Sequence, residues 1–78
     1  MWRLYILKCK DNSNYVGCTS DIDQRMIRHR NAEVEYTRTR LPVELLVYIT
    51  FKDKYKAFEF EKYLKSGSGR AFMQKRFL

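Results

Sequence analysis

The run from Trp2 to Cys18 limits the fold more than any other part of the chain. "WRLYILKC" is apolar and strand-forming, "KDNSN" is turn-forming, and "YVGC" resumes the strand character, so residues 2–18 predict a β-hairpin. Tyr5 and Tyr15 both stand at odd positions, and a connecting loop with an odd number of residues would put both rings on one face of the sheet. A helix follows directly. Ser20, with Asp23 three residues on, resembles a capping box and sets that helix at about Ile22 to Arg30.

The remaining chain supplies one more strand and two more helices. "NAEVEYTRTRLP" is polar, holds the only proline and has no clear period, which makes it the longest loop. "VELLVYITF" is the most strand-like run and reads as the buried central strand. Asp53 then caps a second helix in which Ala57, Phe60 and Leu64 recur at helical spacing, and "SGSG" predicts its end through a left-handed glycine cap. "RAFMQKRF" forms a short final helix that packs Phe72, Met73 or Phe77. The expected fold class is α+β: a small three-stranded, mainly antiparallel sheet flanked by helices in the order β-β-α-β-α-α. With 78 residues there is room for one core, so residues 1–78 are read as a single domain.

Charge narrows the partner. Sixteen Lys and Arg against nine Asp and Glu leave a net +7, which favours a polyanion, nucleic acid ahead of an anionic membrane; a basic surface serving only solubility is the plain alternative. Cys9 and Cys18 fall in neighbouring strands but out of register for a disulfide, and with a lone His29 they cannot complete a four-ligand zinc site. They suit small buried or edge positions in a reducing compartment. No basic leader with an apolar stretch opens the chain and no apolar run is long enough to span a bilayer, so the expected location is cytoplasmic and no membrane association is expected.

Three places have the residue types for chemistry. Arg25 and His29, four apart on the first helix, stack on nearly the same line beside Ile22, at the boundary between core and surface. That boundary is where rigid sites are built, although an arginine stem covering apolar surface beside an ordinary rim histidine would give the same pattern. On the second helix, Glu61 lies at the edge of the apolar face while Glu59 points to the polar side. A semi-buried Glu takes either a neighbouring Lys or Arg in a rim ion pair, or a hard divalent cation. In the loop "EYTRTR", Arg38 and Arg40 alternate with small polar residues beside Tyr36, a pattern that suits tracking a phosphate backbone as well as simple solvation.

In combination these pieces resemble a known family. "RLYIL", followed after nine residues by "YVG", resembles the paired motifs of GIY-YIG nuclease domains; "DIDQRMIRH" is similar to the helix that carries the family's Arg with a His one turn later; "AFEFEKYLKSGSGR" is similar to the Ala-x-x-x-Glu-Lys segment of its small single-domain members. The resemblance runs from about Arg3 to Phe77, and four motifs in order are far more specific than any one. The family includes the catalytic domains of nucleotide-excision-repair incision subunits and of homing endonucleases. By that resemblance Tyr5 matches the first-motif Tyr, Tyr15 and Gly17 the second motif, Arg25 the phosphate-contacting Arg, His29 the His or Tyr after it, and Glu61 the metal-binding Glu. The chain departs from the pattern in Arg3, which stands at the first motif's Gly, in Cys18, Thr19 and Ser20 where some members carry a Lys, and in having no matching Asn after Glu61.

The implied chemistry is phosphodiester hydrolysis in DNA or RNA, with DNA favoured. Such a reaction needs a nucleophilic water, a cation near the non-bridging oxygens and relief of charge on the departing oxygen. By resemblance Glu61 holds one Mg²⁺ or Mn²⁺, Arg25 clamps the phosphate, and Tyr5 or His29 takes the water's proton. A phenol of ordinary pKa, about 10, is a poor base at neutral pH, so both assignments stay open. No element is apparent that would read base edges, which implies a structure-selective or weakly sequence-selective endonuclease. The other reading is a nucleic-acid-binding module of the same fold that is inactive or acts with a protein partner. All five of Tyr5, Tyr15, Arg25, His29 and Glu61 are expected to converge on one concave surface.

Overall fold

The computed structural model describes residues 1–78. Two strands, β1 (Trp2–Lys8) and β2 (Asn14–Thr19), form the predicted hairpin, and helix α1 spans Ile22–Arg30 as expected. A single helical turn, α2 (Glu35–Arg38), interrupts what the sequence suggested was uniform loop. Strand β3 (Glu44–Phe51), helix α3 (Lys54–Leu64) and helix α4 (Gly67–Arg76) complete the chain. Apart from the added turn, the order is the β-β-α-β-α-α expected of an α+β domain.

The sheet is antiparallel throughout, in the order β2-β1-β3. This corrects the reading of β3 as the central strand: β1 has partners on both sides, and β3 is an edge. Burial makes the reason plain. Leu4, Tyr5, Ile6 and Leu7 are fully buried in succession, as a strand covered on both faces requires, whereas β3 alternates between half-buried and exposed positions. Leu46 and Tyr48, which made β3 look continuously apolar, face outward.

Each face of β1 carries its own core. Leu4, Ile6 and Val16 pack with Leu64 and Met73 from α3 and α4. On the other face Tyr5 and Leu7 pack with Met26 of α1, flanked by Tyr15 and Ile22. The period-2 alternation of the hairpin thus sends odd residues to α1 and even residues to α3 and α4.

Caps fix the helices, though not always through the expected residues. Asp21, not Ser20, caps α1 by accepting a bond from the Gln24 N–H at 3.0 Å, and Asp53 caps α3 through the Tyr55 N–H at 2.8 Å as predicted. "SGSG" does not end α3 through a left-handed glycine. The cap is Lys65 in a right-handed conformation, and Ser66 already opens α4 by accepting from the Gly69 N–H at 3.2 Å. Gly69 is needed for closeness: a methyl there would strike the Tyr63 carbonyl and the Leu64 Cα, where the two helices cross.

Helix α1 stops in a Schellman arrangement, with the Glu33 N–H bonded to the Arg28 carbonyl at 2.9 Å and the Ala32 N–H to the His29 carbonyl at 3.0 Å. Ala32 occupies the left-handed position at φ 60°, a conformation glycine adopts without steric cost. Ala32→Gly is therefore expected to stabilise the fold by up to about 1 kcal/mol, the relief of strain exceeding the extra unfolded-state entropy. A lowered denaturation midpoint would contradict this account of the helix end.

Candidate active site

The hairpin brings Tyr5 and Tyr15 together as parity predicted, their ring centroids 6.1 Å apart. The five residues between the paired Lys8 and Asn14 supply the odd loop count. Tyr5 lies across Gly17, its register partner, and a Cβ on Gly17 would occupy the space of the Tyr5 ring. The glycine of the second motif therefore makes room for the tyrosine of the first.

Helix α1 brings two side chains to the Tyr5 hydroxyl. His29 Nε2 lies 2.9 Å from it, and Arg25 Nη1 donates to it at 3.5 Å. The Ile22, Met26 and His29 side chains follow one helical stripe, so His29 is fully buried and not at the rim that its spacing from Arg25 suggested. Met26, three residues before His29, is the signal in the sequence that points to this burial. Tyr15 packs edge-on against the imidazole, with ring centroids 5.1 Å apart, and Tyr36 covers Tyr15 from α2 at 5.6 Å.

Thr37 was not singled out by the sequence. Its hydroxyl lies 2.7 Å from His29 Nδ1, and both residues are fully buried. It comes from a one-turn helix eight residues further on, in a segment with no period to reveal which residue points inward. That turn is held from outside by Arg40, which donates to Asp11 at 3.1 Å and to the Tyr36 carbonyl at 2.6 Å and stacks on the Tyr36 ring. Asp11, held well below the usual carboxylate range chiefly by the Ser13 hydroxyl, ties the hairpin turn to the same arginine. Arg38 is exposed beside it.

Glu61 does not join the four clustered residues, which corrects the expectation that all five share one concave surface. It sits on α3, against the opposite face of the sheet from α1, and its Oε2 accepts from Lys65 at 2.9 Å. The two sides meet only around the edge strand β2. There the Cys18 thiol, pushed up by burial and by the Glu61 charge, also feels Arg25 acting in the opposite sense. The geometry is a four-residue cluster on one face, a carboxylate on the other, and Cys18 between them. Both cysteines are free and buried.

The electrostatics of the cluster oppose a standing charge. Burial, with Tyr15 adding to it and Arg25 working against it, holds the Tyr5 phenol far above its ordinary range. Burial, then the Arg25 and Arg28 charges, lowers His29 to about 4 from an ordinary 6.5. At neutral pH the pair is a protonated phenol beside a neutral imidazole.

Since the unfolded chain protonates His29 first, the stability its neutral form provides is complete above pH 6.5 and is lost as pH falls through about 4. We expect its ring resonance to titrate near pH 4, with the denaturation midpoint dropping over that window. Titration near 6.5 would mean that the imidazole is not enclosed.

No cluster of three or more His, Cys, Asp and Glu side chains is present, and no helix is long and apolar enough to cross a membrane. The GIY-YIG catalytic domain is matched over residues 1–76. The chain is 42% identical over 62 residues to UPF0213 protein YazA of Bacillus subtilis, covering 78% of this chain and 63% of that protein. It is 41% identical over 66 residues to UPF0213 protein SSP2268 of Staphylococcus saprophyticus, covering 83% and 80%. It thus spans less than two thirds of the first of these relatives. The solution NMR structure of UPF0213 protein BH0048 from Bacillus halodurans is similar to it with a TM-score of 0.61 and 38% identity, covering 96% of this chain and 82% of that one.

Proposed function

Because the chain belongs to the GIY-YIG catalytic domain family, we propose that it is an endonuclease that hydrolyses phosphodiester bonds in nucleic acid, DNA in preference to RNA, using one Mg²⁺ or Mn²⁺. The observation that carries this reading is the bonding around one buried hydroxyl: Tyr5 lies between the neutral His29 and the cationic Arg25.

Neither Tyr5 nor His29 serves well alone. The phenol is too basic to stand as phenolate, and the imidazole is screened from solvent by the tyrosines. Together they resolve the difficulty: as Tyr5 takes the proton of an attacking water, it passes its own to His29 Nε2, so no isolated charge develops on either ring. Tyr5 is fully buried, with Arg25 at its hydroxyl, so water reaches it as the guanidinium turns from Tyr5 to the phosphate. Arg25 then stabilises charge developing on the phosphate oxygens.

Glu61 fits a single hard cation. Such ions use one or two carboxylates with waters and substrate phosphate, and Glu61 is half-buried with only Oε2 engaged, by a Lys65 ammonium on the surface. An exposed pair of that kind is weak and yields to a divalent ion. When bound, the ion supplies a Lewis acid for the phosphate and the departing oxygen. With Arg25 and Glu61 on opposite sides of β2, the scissile phosphate lies along that edge strand beside Cys18. Arg38 is the loop cation left to meet a neighbouring phosphate, since Arg40 is already engaged. The buried, unbridged cysteines suit the reducing cytoplasm.

The test is cleavage of single-stranded, duplex, flap and branched DNA and RNA with Mg²⁺, Mn²⁺ or chelator. Metal-dependent scission of at least one DNA, structure-selective or only weakly sequence-selective, is expected. Tight binding across the set with no cleavage would instead support a module that acts only with a protein partner.

A further inference from the structure

We propose that Thr37 is a positioning residue that holds His29 in the Nδ1–H tautomer, leaving Nε2 as the acceptor for the Tyr5 proton. The use made of that acceptor rests on the nuclease reading; the tautomer itself does not.

The hydrogen-bonded chain has fixed polarity at both ends. At one end the Arg25 guanidinium, 3.5 Å from the Tyr5 hydroxyl, can only donate. At the other the Val34 carbonyl, 3.5 Å from Thr37 Oγ1, can only accept. Between them lie Tyr5 Oη to His29 Nε2 at 2.9 Å and His29 Nδ1 to Thr37 Oγ1 at 2.7 Å. Thr37 donating to Val34 must accept from His29, which places the imidazole proton on Nδ1. Nε2 is then bare and accepts from Tyr5, whose oxygen accepts from Arg25. Every donor has an acceptor in this direction. In the reverse tautomer the Tyr5 oxygen would face two donors, and its own proton would have no acceptor among these bonds. That is an unfavourable state for a fully buried group.

The sequence separates these roles. Free neutral histidine prefers its proton on Nε2, so a residue is needed to reverse the preference. A valine in place of Thr37 keeps the shape and removes the acceptor. The turn that carries Thr37 is itself fastened by Arg40 and Asp11, which gives those surface residues a part in holding the imidazole.

His29 is the only histidine in the chain, so ¹⁵N-labelled protein at pH 7 reports its tautomer without ambiguity. The wild type is expected to show a protonated Nδ1 and a bare Nε2, and Thr37→Ser to keep that pattern. Thr37→Val should move the proton to Nε2 or into exchange between the nitrogens. A wild type protonated at Nε2, or a folded Thr37→Val that retains a pure Nδ1–H state, would overturn the proposal. If the valine variant does not fold, Thr37→Ala carries the same expectation.

In the cleavage assay, Thr37→Val should lower kcat on the order of ten- to a hundredfold with KM nearly unchanged, and Thr37→Ser should restore it. Equal kcat in the valine variant would overturn the catalytic part. If the wild type cleaves nothing, the nuclease reading fails while the nitrogen spectra still decide the tautomer.

Discussion

Glu61→Gln is expected to reduce metal-assisted cleavage by about a hundred- to ten-thousandfold, the scale of a lost Lewis acid at the phosphate. The amide keeps the shape of the side chain, and the Lys65 pair it breaks is a surface pair, so the fold should persist. Affinity for nucleic acid without metal should be unchanged or tighter, because a carboxylate near the phosphate path has been removed. Arg25→Ala should behave differently, weakening binding and turnover together. Measured affinity in chelator and turnover in Mg²⁺ separate the two. If Glu61→Gln cleaves as fast as the wild type, the cation is not held there, and the position of Glu61 across the sheet from the Tyr5 cluster becomes the reason.

That position shows how far the sequence could be read. Helical spacing told which side of α3 carries Glu61, but a helix can pack on either face of a sheet with the same apolar stripe. The choice is made by the path of the chain from β3, a long-range property. The pairing of Tyr5 with Tyr15 was legible because strand alternation and loop parity are local. The centrality of β1 was not, since pairing on both sides leaves little mark beyond four buried residues in a row, and β3 imitates such a run with Leu46 and Tyr48 exposed. Thr37 had no signature at all. Its role depends on an eight-residue return from His29 that only the assembled turn reveals.

Tyr5→Phe should cost about a hundred- to ten-thousandfold in kcat, the range of a lost general base, and the loss should come without a matching rise in KM. The phenyl ring still fits over Gly17 and between Tyr15 and His29, so the cluster keeps its packing. What disappears is one oxygen that receives Arg25 and donates to His29. Nε2 is then left buried without a donor, at a cost to stability of about 1–3 kcal/mol, partly offset because a polar hydroxyl no longer has to be buried. Tyr15→Phe is the control: Tyr15 meets the other rings by packing and is joined to them by no direct hydrogen bond, so its loss should be much smaller. The comparison also decides between Tyr5 and His29. Proton transfer through the phenol requires that both Tyr5→Phe and His29→Asn be slow. If Tyr5→Phe turns over at the wild-type rate while His29→Asn does not, the imidazole takes the water's proton itself, and Tyr5 serves to seat it.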